Sequence, residues 1–119
     1  MAAYNDSLRG YAFPIHSRDG FKCVYCGLDG TKSYSAWLCL SLEHLLPRGN
    51  RLRDTREYMV TACLFCNAAD NHYFAKASER GITFKDKNRQ ELVAQRTPYV
   101  LKTRESYHRF WKSKVRVTR

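Results

Sequence analysis

The chain has 119 residues, of which 44% are hydrophobic and 13% aromatic. This composition is typical of one globular domain and excludes a disordered, collagen-like or low-complexity protein. Its 21 lysines and arginines outnumber the 11 acidic residues and give a formal net charge of +10. Such an excess indicates a polyanionic partner, most commonly nucleic acid, and a basic protein that is merely soluble is the alternative.

The first segments are short and are separated by turn signals. Residues 7–18 predict a short irregular helix or turn, because Pro14 argues against a long helix there. Residues 21–27, FKCVYCG, predict a strand that enters a tight turn, since Gly27 can adopt the positive φ that such a turn needs. The chain shows no signal peptide and no apolar run of membrane-spanning length, so we expect a cytoplasmic protein without a membrane partner.

A β-hairpin is predicted in the middle of the chain. Residues 36–43, AWLCLSLE, alternate as a strand does, with Leu38, Leu40 and Leu42 on the side that faces the core. An arginine-rich loop follows, and residues 58–62 predict a second strand. Two strands joined by one loop predict a hairpin.

Three helices are predicted after the hairpin. The first begins at Leu64 or Cys66 and ends at Gly81, the second spans about 86–96, and the third spans 98–117 with Pro98 in its first turn. The third helix is amphipathic, with an apolar face that could dock on the core: Val100, Tyr107, Trp111 and Val115. Its opposite face is basic: Lys102, Arg109, Lys112 and Arg116.

Four cysteines form two pairs of the knuckle type, Cys23-x2-Cys26 and Cys63-x2-Cys66. Together they supply the four thiolates of a tetrahedral structural zinc site, which leaves no open coordination position. The alternative is two redox pairs or buried thiols. Cys39 is left over and is expected to be a small buried hydrophobic residue.

The order of three motifs resembles the HNH endonuclease family, the zinc-knuckled branch of the ββα-metal (His-Me finger) nucleases. These motifs are Cys23-x2-Cys26, then Glu43-His44-x2-Pro47, then Cys63-x2-Cys66-Asn67, within about residues 16–75. The resemblance implies an α+β fold, in which one small domain over 1–119 has a ββα-metal core of a β-hairpin and a helix. A four-cysteine zinc site staples that core, and a basic helical extension covers about 82–119.

The same resemblance implies a metal-dependent DNA endonuclease that leaves a 3′-hydroxyl and a 5′-phosphate. Glu43 and Asn67 are implied as ligands of a catalytic Mg²⁺ or other divalent cation, and Asn71 as a further helical ligand. His44 is implied as the general base. In a regular strand Glu43 and His44 point to opposite faces, so they can converge only if the strand ends there. The alternatives are a core or surface histidine for His44 and a helix N-cap for Asn67.

Two positions depart from the family pattern. Tyr58 stands where an asparagine usually braces the loop that holds the base, so Tyr58 or Asn50 would have to replace it. Asp70 stands where a lysine is common, and it would either assist a metal through a second shell or weaken phosphate binding. These departures keep open a rival interpretation, a non-catalytic zinc-knuckle DNA-binding module with a degenerate site.

Two groups of cations are candidate contacts with the DNA backbone. One group lies in the loop after His44: Arg48, Arg51, Arg53 and Arg56. The other is the basic face of the last predicted helix, and a solvated loop and an ordinary surface helix are the alternatives. One site of this kind cuts one strand, so a double-strand break would need a homodimer, two successive cuts or a larger assembly. An RNA-processing nuclease is a third interpretation.

Overall fold

The computed structural model describes residues 12–117 and shows a small α+β protein. Its elements in chain order are α1 (Phe13–Arg18), α2 (Tyr34–Leu38), β1 (Leu40–His44), a 3-10 turn (Arg56–Tyr58), β2 (Met59–Cys63), α3 (Leu64–Ala68), α4 (Arg89–Phe110) and a π-helical turn (Trp111–Val115). The part of the helix or turn predicted over 7–18 that precedes residue 12 lies outside the described residues. No helix within residues 12–117 is both long and apolar enough to cross a bilayer.

The predicted hairpin is confirmed, but its first strand begins later than expected. Strands β1 and β2 pair antiparallel, with Leu40 opposite Cys63 and His44 opposite Met59. Residues 36–38, predicted as strand, belong instead to helix α2, whose N-cap Ser33 accepts a hydrogen bond from the Ala36 amide at 3.0 Å. This local cap favours a helix over the alternating pattern. As a result Leu38 is exposed rather than in the core.

The segment over 21–27 is a knuckle rather than a strand. Within it only Lys22 makes a β-bridge, to Asp29. Gly27 has a φ of +79°, as its place in the turn predicted, and its amide donates to the Cys23 carbonyl at 2.9 Å. The Val24 amide donates to the Thr61 carbonyl at 3.0 Å, which attaches the knuckle to β2.

Helices cover both faces of the hairpin. On one face, His16 of α1 lies 2.7 Å from the Thr61 hydroxyl (Nδ1 to Oγ1). On the other face, Leu92 of α4 packs in one apolar cluster with Val60, and Val100 packs in another with Ala62. Because α4 covers the second face, side chains there are removed from water.

The helix predicted from Leu64 or Cys66 to Gly81 is much shorter. Helix α3 ends at Ala68, and the chain continues to Gly81 through turns. Asp70 favours a turn in this position, and it pairs with Arg80 at 2.6 Å across the turns. Gly81 does end the segment with a φ of +71°, as its C-terminal position predicted.

The two helices predicted at 86–96 and 98–117 are one helix, α4. Asn88 and Glu91 form a capping box at its start, with bonds of 2.8 and 2.9 Å. Pro98 lies inside the helix, where it cannot donate to the carbonyl four residues earlier. Burial of Arg96 and Val100 on either side holds the chain helical through the proline. Beyond Val100 the expected docking is wrong, because the other apolar side chains of that face are exposed: Tyr107, Trp111 and Val115.

Candidate metal centre and the end of strand β1

Two local structures bring the four knuckle cysteines together. The turn at Gly27 presents Cys23 and Cys26, and the junction of β2 with α3 presents Cys63 and Cys66. Cys63 is the N-cap of α3, and its sulfur accepts a hydrogen bond from the Cys66 amide at 3.4 Å. This arrangement orients both thiols of the second pair toward the first.

The geometry of the four sulfurs fits a metal ion such as zinc. All four Sγ atoms lie within 4.8 Å of one another, and those of Cys26 and Cys63 are 3.9 Å apart. A tetrahedral zinc site with Zn–S bonds of about 2.3 Å has sulfurs about 3.8 Å apart. The predicted four-cysteine cluster is therefore confirmed as a candidate metal centre. The cysteines are free thiols, and Cys39 is only partly buried and lies outside the cluster.

The thiols of the cluster differ in pKa, and one cation lies beside them. The Cys63 thiol donates to Cys23 and lowers the pKa of Cys23 to about 4, whereas burial raises the pKa of Cys66. Arg104 of α4 lies 3.6 Å from the Cys66 sulfur (Nη1 to Sγ). Its positive charge would offset part of the excess negative charge of a metal bound by four thiolates.

Glu43 is buried and is held by two side chains of the core. Its side chain is 1% exposed, the Tyr25 hydroxyl donates to Oε2, and Arg96 Nη2 lies 3.5 Å from Oε1. The Arg96 guanidinium also lies over the Tyr73 ring, 4.7 Å from its centroid. Burial raises the pKa of Glu43 to about 7, against the opposing effects of Arg96 and the Tyr25 hydrogen bond.

This environment does not fit the role of Glu43 as a ligand of a catalytic divalent cation. A cation at the carboxylate would have to displace the Tyr25 hydroxyl and lie beside the Arg96 guanidinium, which would repel it. Mg²⁺ also retains several waters, and a side chain that is 1% exposed leaves little room for them. In this conformation the carboxyl is paired with the Arg96 guanidinium at 3.5 Å, although Oε1 makes no hydrogen bond.

His44 occupies a different environment, at the exposed end of β1. Its Nε2 lies 3.0 Å from Asp54 Oδ1, and its side chain is 28% exposed against 80% for Asp54. Arg53 also approaches Asp54, with Nη1 3.4 Å from Oδ1. Partial burial, and then the charges of Arg53 and Arg48, lower the pKa of His44 below its ordinary value. This shift favours the neutral imidazole, the state that a general base requires.

The structure gives Glu43, His44 and Asn67 separate sets of partners. Asn67 donates its Nδ2 hydrogens to the Ser41 hydroxyl and the Leu42 carbonyl, both at 2.9 Å. These bonds attach α3 to β1. Asn67 lies within α3, whose N-cap is Cys63, so it is not the helix cap.

Of the remaining positions of the motif, Tyr58 and Asp70 have structural partners. Asn71 is exposed and lies beyond the end of α3, so it does not share a helical face with Asn67 as expected. The Tyr58 carbonyl accepts a bond from the Leu45 amide at 3.0 Å, directly after His44. Asp70 forms an ion pair with Arg80.

The expected DNA-contacting cations are at the surface but are not all placed as predicted. Arg48, Arg51 and Arg56 are exposed and Arg53 is partly buried in the loop after His44. Lys102, Arg109, Lys112 and Arg116 are exposed along α4 and the π-helical turn. Arg116 lies over the Trp111 ring, 4.9 Å from its centroid, rather than on the face opposite that aromatic side chain.

Three residues of these sites were not predicted from the sequence. Asp54 could have been predicted, because it is an acidic residue inside the arginine-rich loop that follows His44. Tyr25 lies between the first two cysteines, where a polar aromatic side chain could indicate a buried partner. Arg96 gave no signal, because its burial depends on how α4 packs.

Comparison of the chain with protein-family models, curated proteins and solved structures gave no match.

Proposed function

We propose that this chain is a zinc-stabilised DNA-binding protein that hydrolyses phosphodiester bonds, with His44 as the general base. The observation that carries the proposal is the placement of His44 at the end of β1. It is partly exposed, its pKa is lowered, and it lies beside Asp54 and within electrostatic reach of Arg48 and Arg53. The net charge of +10 and the order of the three sequence motifs support the same function.

The chemistry can be assigned to atoms of His44. With a proton on Nε2, the ring donates to Asp54 Oδ1 at 3.0 Å, and Nδ1 is left as the acceptor. A water that gives its proton to Nδ1 attacks the phosphorus, and the bond to the 3′ oxygen breaks. The 3′ oxygen leaves with the bonding electron pair and takes a proton from solvent, and His44 later returns its own extra proton to solvent. The products are a 3′-hydroxyl and a 5′-phosphate. Arg48 and Arg53 are suited to hold the phosphate and stabilise the charge that grows on it.

Zinc has a structural role in this proposal. The four thiolates of Cys23, Cys26, Cys63 and Cys66 would hold it, and it would connect the knuckle to the β2–α3 junction. The buried, Arg96-paired Glu43 does not support a cation bound at that carboxylate, so no step is assigned to Mg²⁺.

A non-catalytic DNA-binding module is the second candidate, and the burial of Glu43 is the observation that favours it. If the acidic residue of the motif has become part of the core, the site could have lost catalysis and kept binding. Both candidates require zinc and salt-dependent affinity for DNA. They differ in whether turnover occurs and whether it needs His44.

The test is nicking of supercoiled plasmid by wild type, His44→Ala and His72→Ala, with Mg²⁺, with Mn²⁺ and without added metal. His72 is an exposed histidine of the turns after α3 and serves as the matched control. We expect wild type and His72→Ala to nick and His44→Ala to lose about 100-fold or more of the rate. All three proteins must carry equal zinc.

Two results would count against catalysis by His44. Nicking that persists in His44→Ala would remove this residue from the mechanism. Absence of nicking with any metal, together with binding that weakens as salt rises, would establish the binding module instead.

A further inference from the structure

A second surface lies at the far end of α4, where it passes the first turn of α3. An open groove there has a volume of about 680 Å³ and is lined by Phe65 of α3 and by Leu101, Arg104, Glu105, Tyr107, His108 and Trp111. We call this surface the aromatic groove. Tyr107 is 62% and Trp111 42% exposed, so their rings are in contact with solvent. The phosphodiesterase proposal makes no use of them.

The rings of the groove are held in defined positions. Phe65 meets Tyr107 edge-on with centroids 4.9 Å apart, and His108 stacks on Trp111 with planes 16° apart. Arg104 lies over Phe65 at 5.3 Å from its centroid. Trp111 begins the π-helical turn, a rare irregularity that alters the direction of side chains and often occurs at functional sites.

The charge around the groove decides what could occupy it. Two cations contact the rings of the groove: Arg104 lies over Phe65 and Arg116 over Trp111. The one acid between residues 98 and 117, Glu105, lines the groove and lies 4.0 Å from Arg109. Further cations follow the same stretch of chain: Lys102, Lys112 and Lys114. A second copy of the chain, docked through the same surface, would bring two such sets of cations together. A polyanion would instead be attracted to them.

The exposed rings favour a single-stranded nucleic acid over a duplex as the polyanion. Exposed aromatic side chains among cations are the elements that bind single strands, because unpaired bases stack on the rings while phosphates meet the cations. Bases in a duplex stack on one another and are closed to such contacts. A protein that contacts only the duplex backbone needs the cations but not the rings.

We propose that the aromatic groove binds single-stranded nucleic acid. Unpaired bases would stack on the exposed parts of Tyr107 and Trp111, and the backbone would be held by Arg104, Arg116 and the other cations of this stretch of the chain. This binding goes beyond cleavage, since it does not require His44 to be catalytic. A protein with such a groove would prefer frayed, looped or melted strands over intact duplex.

Fluorescence anisotropy tests the proposal with a labelled oligothymidylate and a duplex of the same length. The His44→Ala protein is the parent, so that the strands remain intact. Tyr107→Ala and Trp111→Ala are made in that background. Tyr34→Ala is the matched control, because Tyr34 is 74% exposed and stacks on Trp37 of α2, outside the groove.

We expect each groove substitution to weaken oligothymidylate binding about tenfold or more, since one stacked base contributes on this scale. Duplex affinity should change by less than about twofold, and Tyr34→Ala should bind both probes as its parent does. Trp111→Phe keeps a ring and should retain most of the single-strand affinity. Equal zinc content and equal helical circular dichroism in all variants would exclude unfolding as the cause.

Three results would overturn the proposal. Unchanged oligothymidylate binding in both alanine variants would exclude stacking in the groove. If the alanine substitutions weakened the binding of single strand and duplex equally, the rings would contribute to a backbone contact and not to base stacking. A parent that sediments as a dimer, with Trp111→Ala as a monomer, would make a second copy the occupant. Plasmid nicking by wild type is measured separately. Absence of nicking would reject the nuclease proposal without affecting the proposal that the groove binds single strands.

Discussion

Glu43 and His44 are neighbours in sequence but belong to two different regions of the molecule. Glu43 lies on the inner face of the hairpin, which we define by Glu43 and Val60, beneath α4. His44 lies at the outer end of β1, which we define by His44 and Asp54. The Glu43 side chain is 1% exposed, whereas that of His44 is 28% exposed and that of its partner Asp54 is 80% exposed.

Burial favours the uncharged form of both side chains, but the consequences differ. It raises the pKa of Glu43 to about 7 and lowers that of His44. A carboxyl group that is enclosed by Tyr25 and Arg96 is a component of the core. A neutral imidazole at the surface is available as a base. The adjacency of two motif residues therefore does not make them one site, and we expect the inner face to determine stability and the outer end to determine chemistry.

The largest loss of stability should follow removal of the metal centre, which connects the knuckle to the β2–α3 junction beside the inner face. We expect Cys63→Ser to unfold the protein, because structural zinc contributes about 10–16 kcal/mol, which equals or exceeds the stability of a typical domain. Chelation of zinc from wild type should have the same effect. Circular dichroism and zinc analysis measure both outcomes.

Cys39→Ser is the matched control for the metal centre. Cys39 is a partly buried thiol outside the cluster, so its substitution should cost at most about 1–2 kcal/mol and leave zinc content unchanged. If Cys63→Ser folded and kept its full zinc content, the assignment of a four-thiolate centre would be wrong.

The next effect concerns the buried pair of Glu43 and Arg96. Glu43→Leu should lower the free energy of unfolding by about 3–5 kcal/mol, because it leaves the Arg96 guanidinium buried without its partner. Arg96→Leu should cost less, since Glu43 already has a pKa of about 7 and can become neutral. The double variant should be more stable than Glu43→Leu. Urea unfolding of the three variants measures this cycle.

The exposed pair of Glu57 and Arg89 is the control for this cycle. Its atoms are 2.8 Å apart and the Glu57 side chain is 59% exposed, so Glu57→Leu should cost less than about 1 kcal/mol. If Glu43→Leu instead kept full stability and lost all nicking, Glu43 would act in chemistry and the division between the two regions would be wrong.

The sequence predicted those features that depend on local chemistry. The spacing of the cysteines predicted the four-thiol cluster, and the loop between two apolar runs predicted the hairpin. It could not predict the environment of Glu43, because alternation separates the two faces of a strand without saying which one α4 covers. The role expected for Asn71 failed for a similar reason: it required a helix that continues past Ala68, where the turns closed by Asp70 and Arg80 begin instead.

Asn67 offers a smaller test of the inner face. Its two hydrogen bonds to β1 are partly buried, so Asn67→Ala should lower the free energy of unfolding by about 1–2 kcal/mol. Asn67→Asp should cost more, because a carboxylate oxygen would then face the Leu42 carbonyl. A metal ligand would show the opposite order, with Asp retaining nicking activity that Ala loses. Urea unfolding and plasmid nicking together distinguish the two roles.

The smallest effect on stability should come from Asp54, at the outer end of β1. Its pair with His44 is exposed, so Asp54→Ala should change the free energy of unfolding by less than about 0.5 kcal/mol. The effect should appear in titration instead, since Asp54 raises the pKa of His44 and its removal should lower that pKa further. NMR titration of the His44 ring measures it.

The sign of the pH dependence follows from the same shift. The pKa of His44 in the folded protein is below its ordinary value of 6.5, so its contribution to stability is present above pH 6.5 and is lost as the pH falls through the folded pKa. In Asp54→Ala this loss should extend to lower pH. A His44 pKa that does not change in the variant would mean that Asp54 does not hold the ring in solution, and Nε2 would then be as free as Nδ1 to accept a proton.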